Sequence, residues 1–317
     1  MKSCVLILPY FGNFNNYFKL FLNSVKNNKD FIDLLLITDN IIDNLPENVI
    51  LKNMKLEDFK TLAQNKMKIN VSLSSPYKLC DFKPSYGFLF KELIKDYKYW
   101  GYCDCDLILG NMSHFLQPLF EKNYDKIFAA GHLTLYLNND ENNTLFMKKY
   151  NECFPYVEAY SKEGIYVFDE DYVRQQNNIH SMFLDNNKKV YSNDLSANIS
   201  TKYHKLVIES YLPETRGFEV VDLIEKQFYY SNGAIVCLQL ANDRIISKEF
   251  LYIHLQMRKM RIKGIKSNYD EFQICPDRFI LGRSAPYDAR KFKKQKAHVW
   301  LRPYDVLLKK IKRRLCK

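Results

Sequence analysis

Over the first third of the chain, apolar runs of buried-strand length alternate with segments of helical spacing, and this alternation limits the fold more than any other feature. "SCVLILPYF" and "DLLLITD" read as strands and "NVILKNM" as a shorter one. Between them, "NYFKLFLNSVKNN" sets Phe18, Phe21, Leu22 and Val25 at helical spacing, and "KLEDFKTLAQNKM" opens on acids that suit a helix N-terminus. A further helix is expected over "YGFLFKELIKDYKY", leading into a strand over "YWGYCDCDLIL". Strand and helix in turn at this spacing imply an α/β domain with a mostly parallel, doubly wound sheet. Ligands of such sheets gather beyond the carboxyl ends of the strands. Pro9–Tyr10–Phe11, Thr38–Asp39–Asn40 and Asp104–Cys105–Asp106 fall at such ends.

Further on, "DKIFAAGHLTLYLN" begins as a strand, and "EGIYVFDEDYVRQQNNI" reads as a turn, the acids Asp169, Glu170 and Asp171, then a helix. "KVYSN", "AIVCLQL" and "EFLYIHLQM" read as short strands. No GxGxxG follows the first strand, so a dinucleotide fold lacks its phosphate loop. At 317 residues and 47% hydrophobic content, the chain suffices for one large domain, expected over 1–262, with a basic, partly helical tail over 263–317. The N-terminal run meets Pro9 too soon for a signal peptide, which points to a cytoplasmic protein. The eight cysteines form no CxxC pair and are expected to be reduced and mostly buried, without zinc.

The formal charge of +11 is concentrated after Arg258. In "YDVLLKKIKRRLCK", Val306, Leu307, Ile311 and Leu315 share one helical face amid lysines and arginines, with Trp300 upstream. That pattern suits a peripheral anchor on the acidic inner face of a membrane. No nucleic-acid-binding signature accompanies the charge, so no nucleic-acid partner is expected.

Asp104 and Asp106 stand two apart in an apolar, aromatic run. On one strand they would point the same way and repel each other unless a cation lay between them. Paired carboxylates at a strand end suit Mg²⁺ or Mn²⁺, which bind a few carboxylates together with substrate phosphates. A metal-dependent phospho- or nucleotidyltransferase would need the same pair. A non-catalytic basic adaptor for membrane or nucleic acid would not.

Taken together, "LPYFG", "ITDN", "YKLCDFKPSYG", "YWG" before the Asp-x-Asp, "GHLTLY", "FDE" and the late "IHLQMRKM" resemble bacterial polysaccharide-synthesis glycosyltransferases of the GT-A fold. They are similar to the retaining galactosyltransferases that act on lipopolysaccharide and capsule. The resemblance runs from about Val5 to about Arg261 and leaves out the tail. It implies a UDP-sugar donor, Mn²⁺ or Mg²⁺, and a saccharide acceptor, expected to be lipid-linked. The nucleotide would lie against Pro9, Tyr10, Asp39 and Asp104, with Lys83 as a cation near the donor and Lys78 as a second. The metal would be held by Asp104, Asp106 and His254. Arg258 and Lys259 would meet the diphosphate, with Gln256 and Arg261 nearby. Asp169 and Glu170 would contact the sugar and serve catalysis, and His132 and Thr134 would line the sugar pocket. The related retaining enzymes carry an amide where this chain has Glu170; the resemblance still implies retention, with inversion, in which one of these carboxylates acts as general base, as the alternative.

Overall fold

The computed structural model describes residues 3–171, 174–223, 225–264 and 269–297. Three sheets build it. The first contains β1 (Cys4–Pro9), β2 (Ile32–Thr38), β3 (Val49–Asn53), β4 (Tyr99–Cys103), β6 (Lys126–Ile127), β7 (Leu133–Leu137) and β8 (Val190–Tyr191), in the order β3-β2-β1-β4-β7-β6-β8. Its pairs are parallel except where β7 meets β4 and β6. The second runs β11-β10-β9-β15-β5, from β5 (Leu107–Leu109), β9 (Ala197–Ile199), β10 (Leu206–Leu212), β11 (Gly217–Asp222) and β15 (Tyr252–His254). The third runs β14-β13-β12-β17-β18-β16, from β12 (Gln227–Ser231), β13 (Ala234–Ala241), β14 (Arg244–Phe250), β16 (Arg261–Gly264), β17 (Glu271–Cys275) and β18 (Arg278–Leu281).

The expected mixed, mostly parallel α/β arrangement is present in the first sheet. Every residue of β1 and β2 is buried, because both faces are covered. Cys4, Leu6, Leu8, Leu34 and Leu36 join one core, against helix Phe18–Lys26 through Phe18, Phe21, Leu22 and Val25. Val5, Ile7, Leu35 and Ile37 join the opposite core, with Phe59, Ala63 and Met67 of helix Leu56–Met67.

Four expectations need correction. "YGFLFKELIKDYKY" is not one helix but two single turns, Tyr86–Leu89 and Lys91–Ile94, interrupted at Phe90. The first is pressed against β4: a Cβ on Gly87 would lie 2.3 Å from the Trp100 indole, whose Nε1–H donates to Asn143 Oδ1 at 2.6 Å. The "YWGYCDCDLIL" run is two strands, since the chain leaves the first sheet after Cys103 and enters the second at Leu107. Asp104 and Asp106 therefore sit in the turn between sheets and not on one strand face. The helix beyond the acids spans only Ile179–Asp185, capped by the Asn178 side chain on Ser181 N–H. Finally, the tail expected from residue 263 begins as folded structure. β17 pairs with β12, β18 pairs with β16 and β17, and helix Ala289–Gln295 buries Phe292 against the third sheet beside Tyr229 and Leu238. Basic residues dominate the composition here, but the buried Phe272, Ile274, Phe279 and Leu281 are what place the strands. The amphipathic pattern at Val306–Leu315 lies outside the described residues. Among the described residues no helix is long and apolar enough to cross a membrane.

Candidate metal centre

The turn after β4 is fixed from two sides. Asp104 N–H donates to His132 O at 3.0 Å, and Leu255 N–H donates to Asp106 O at 2.9 Å. Antiparallel pairing of β5 with β15 sets His254 opposite Leu107. Just past His254, Gln256 and Met257 both take left-handed backbone conformations, φ +56° and +52°. This sharp turn aims Met257 N–H at Asp106 Oδ2. Uncommon backbone conformations of this kind tend to gather at functional sites.

The result brings one ligand atom each from Asp104, Asp106 and His254 within 4.8 Å of one another. His254 Nε2 lies 3.4 Å from Asp106 Oδ2. Asp106 Oδ1 is buried and has no hydrogen-bond partner among the described residues. A carboxylate oxygen in that condition is costly unless a ligand completes it. Burial opposes ionisation of Asp106, yet His254 and the Met257 N–H hold its pKa below the usual carboxylate range. Burial likewise disfavours charge on His254, but Asp106 pushes its pKa up. On the other side of His254, Nδ1 lies 3.2 Å from Asn198 Oδ1, and the Asn198 NH₂ points at Ser196 Oγ at 3.4 Å. With the amide held that way, Nδ1–H is the donor and Nε2 is the atom left facing the aspartates, able to ligate once its proton is lost. Gln256 Nε2, also 3.2 Å from Nδ1, is the competing neighbour. Two carboxylates, an imidazole nitrogen facing them and an orphan buried oxygen fit a divalent cation, which would take the place of the imidazole proton.

Lys83 ties this turn to the acidic cluster. Its Nζ lies 2.9 Å from Asp104 Oδ1 and 3.2 Å from Asp169 Oδ2, and donates to Gly131 O at 2.7 Å. Burial nevertheless raises the Asp104 carboxyl, the Lys83 charge offsetting only part of the cost. Asp169 is pushed up to about 7, by burial first and then by Glu170, Asp81 and Asp104 against the pull of Lys83. Glu170 Oε2 accepts from Gly131 N–H at 3.0 Å. Asp171 faces away, bound by Tyr211 OH and by Asn178 Nδ2 at 3.0 Å. Ahead of the cluster, Val167 sits at φ +63°, a strained conformation for a β-branched side chain. That segment is clamped by Asp81, which accepts from Tyr166 and Phe168 N–H at 2.9 and 3.1 Å. Lys78 pairs with Asp81 at 2.8 Å and donates to Gly164 O. Lys78 therefore braces the loop that carries Asp169, and its cation is spent there.

His132 is held by Tyr252 OH, 2.8 Å from its Nδ1, with its ring 4.4 Å from that of His254. Burial, then His254 and Lys83, keep its pKa well below the ordinary value, so it is neutral. Thr134 is sealed under the same loop, donating to Ala130 O at 2.9 Å. Pro9 ends β1 and Tyr10 follows it, where Tyr10 N–H donates to Ile37 O at 2.8 Å and its ring stacks on Phe14. Burial, then Cys105 and Asp106, push the Tyr10 hydroxyl up to about 12. Asp39 is exposed at the neighbouring strand end. Arg258 is not free for an anion: it bonds Ser200 O, Tyr203 O and the His204 ring. Arg261 pairs with Asp277. Lys259 is exposed and makes no hydrogen bond or ion pair among the described residues. Asn198, Gly131 and Tyr252 were not singled out from sequence. Nothing local marks them, since each acts on a partner in another segment.

No match is found among curated proteins. Among solved structures, the chain is similar to galactosyltransferase LgtC in complex with donor and acceptor sugar analogs, at 13% identity and TM-score 0.34, over 62% of this chain and 76% of that one. Mouse xyloside xylosyltransferase 1 in its apo form aligns at 10% identity and TM-score 0.37, over 63% and 88%. The glycosyltransferase GlyE of Streptococcus pneumoniae TIGR4 aligns at 14% and 0.25, over 45% and 36%. A protein family described as a family of unknown function (DUF6625) matches residues 6–282, across all three sheets, and this chain belongs to it.

Proposed function

We propose that the chain is a metal-dependent glycosyltransferase that moves a hexose, galactose or glucose, from a UDP-sugar to a saccharide hydroxyl, with retention favoured. The observation that carries this reading is that ligand atoms of Asp104, Asp106 and His254 lie within 4.8 Å of one another, with Asp106 Oδ1 buried and unpartnered among the described residues. When bound there, Mn²⁺ or Mg²⁺ supplies Lewis-acid neutralisation of charge on a departing diphosphate. Asp106 and His254 form the buried side of that site, and Asn198 holds the imidazole in the ligating tautomer. Lys83 holds Asp169 against Gly131, and the carboxylates of Asp169 and Glu170 stabilise positive charge on the sugar in the transition state. Tyr10 and Asp39, at adjacent carboxyl ends of β1 and β2, receive the nucleoside. Of Arg258, Lys259 and Arg261, Lys259 is the one with no hydrogen bond or ion pair among the described residues, and it meets the diphosphate. The acceptor is a lipid-linked oligosaccharide of capsule or lipopolysaccharide synthesis, and the basic C-terminal segment holds the enzyme at the inner membrane face.

The test is a thermal-shift panel of UDP, UDP-glucose, UDP-galactose, UDP-GlcNAc, GDP-mannose and ATP, each with and without Mn²⁺, on wild type and Asp106→Asn. A ligand at a hundred times its dissociation constant stabilises by about 2.7 kcal/mol. Metal-dependent shifts with UDP compounds, lost in Asp106→Asn, are the expected result. A shift with ATP alone transfers the site to phosphoryl chemistry.

A further inference from the structure

Tyr17 stands at the head of helix Phe18–Lys26, and two asparagines tie it to both halves of the metal centre. Asn15 Oδ1 accepts from Tyr17 N–H at 3.1 Å, while Asn15 Nδ2 donates at 3.3 Å to the carbonyl of Cys105, the residue between the two aspartates. Asn16 Nδ2 donates at 2.6 Å to Met260 O, on the segment that follows His254. Tyr17 is fully buried, in the core cluster that also holds Ile108, Ile253, Leu255 and Met260. Those residues belong to β5, to β15 and to the loop after it, the elements that carry Asp106 and His254 into place. On its far side the ring meets Phe279 of β18 edge-on, with centroids 5.7 Å apart.

All of this packing would suit phenylalanine. The Tyr17 hydroxyl, however, is buried and has no hydrogen-bond partner among the described residues. A buried tyrosine hydroxyl normally finds a partner, and leaving one unmet costs stability. Burial, then the charges of Asp106, Cys105 and Tyr10, push its pKa up, so Asp106 is the charge it feels most. Tyr136 and Tyr160 also lack a partner, but they have the hydroxyls of Tyr102 and Ser85 beside them. Asp106 for its part leaves Oδ1 buried and unpartnered. Two orphan oxygens thus serve the same small region, one able to donate and accept, the other only to accept. They do not bond each other, so a third group is needed to satisfy both.

We propose that Tyr17 is a positioning residue of the metal centre, its hydroxyl holding a water ligand of the cation beside Asp106. A hard divalent cation bound through few carboxylates keeps waters in its coordination sphere. A hydrogen from such a water goes to the phenol oxygen, which fixes the water and, through it, the orientation of the site. The inference rests on the metal centre of the glycosyltransferase reading.

Tyr17→Phe removes one oxygen and keeps the ring, and two measurements on the full chain then diverge. Without metal, the variant melts at or above the wild-type temperature, because an unpartnered buried hydroxyl is gone. Mn²⁺ binding, followed by electron paramagnetic resonance of free Mn²⁺, weakens about tenfold, the lower end of what losing a hydrogen-bond partner behind the coordination sphere costs. Asp106→Asn, which abolishes binding, shows that the titration reports this site. An unchanged Mn²⁺ affinity in Tyr17→Phe overturns the inference. So does a lower metal-free melting temperature, which would mean that the hydroxyl is bonded within the protein. Absence of Mn²⁺ binding in wild type overturns the metal centre itself, and with it the reading on which the inference stands.

Discussion

Replacing Lys83 by Met removes one positive charge and little volume from the junction of the two acidic segments. In the wild type Nζ faces Asp104 at 2.9 Å and Asp169 at 3.2 Å, with Gly131 O at 2.7 Å. Removing one partner of a buried pair costs about 3–5 kcal/mol, because the remaining charge is left uncompensated. Asp104 keeps 32% of its side chain in solvent, so its share is cushioned and the lower end of that range applies. Protonation limits the rest. Asp169, ordinarily titrating near 3.8, sits at about 7 even with Lys83 present. Between those values the folded state holds a proton that the unfolded chain has lost, so stability falls as pH rises through that window. Without Lys83 the carboxyl titrates higher still, and the fall extends above pH 7. Lys83→Met is therefore expected to cost about 1 kcal/mol at pH 5, where Asp169 is neutral, and about 3 kcal/mol at pH 8. Urea unfolding of both proteins at the two pH values measures the difference. Adding Asp169→Asn to the variant should recover most of the pH 8 loss. An equal cost at pH 5 and pH 8 would refute the claim that Lys83 acts through the Asp169 charge.

Asn198→Leu leaves the fold intact and weakens Mn²⁺ binding about 10–100-fold, as loss of a hydrogen bond behind a ligating histidine does; titration followed by electron paramagnetic resonance of free Mn²⁺ reads it. An unchanged affinity would mean that the Asn198 contact does not set the His254 tautomer. Gly87→Ala destabilises by about 1–3 kcal/mol, since the new methyl would sit 2.3 Å from the Trp100 ring. Denaturant midpoints check this, and a neutral result would mean that the Tyr86–Leu89 turn shifts freely off β4. Lys259→Ala weakens UDP binding without changing the melting temperature. Arg258→Ala does the reverse, because its guanidinium holds the 200–204 loop. Calorimetric titration with UDP beside a melting curve separates the two.

Much of the central sheet was legible because its signals are local. The apolar run of β1 and the helical spacing of Phe18, Phe21, Leu22 and Val25 both report burial within a dozen residues of themselves. The metal-ligand set was also legible, but in two different ways. Asp104 and Asp106 drew attention by being charged in an apolar run, whereas His254 entered through its resemblance to a family pattern. The strands of the third sheet near the C-terminus were hidden by their flanks. Lysines and arginines around Phe272, Ile274 and Phe279 made a folded sheet read as a solvated tail. The two lysines in the Lys78–Lys83 stretch look alike in sequence, but one braces Asp81 and the other joins Asp104 to Asp169.

The sequence by itself determined which segments are buried and which residue types are available for chemistry, since side-chain hydrophobicity and periodicity act over one or two turns or strands. Tertiary structure alone decided which acids are partnered and which are left open. Asp171 is tied to Tyr211 and Asn178, while Asp106 Oδ1 and Asp194 Oδ2 are left without partners among the described residues. Pairing a carboxylate depends on what distant segments bring within about 3 Å of it. Here those segments are β9, β10 and β15, nearly a hundred residues or more beyond the Asp104–Asp106 turn.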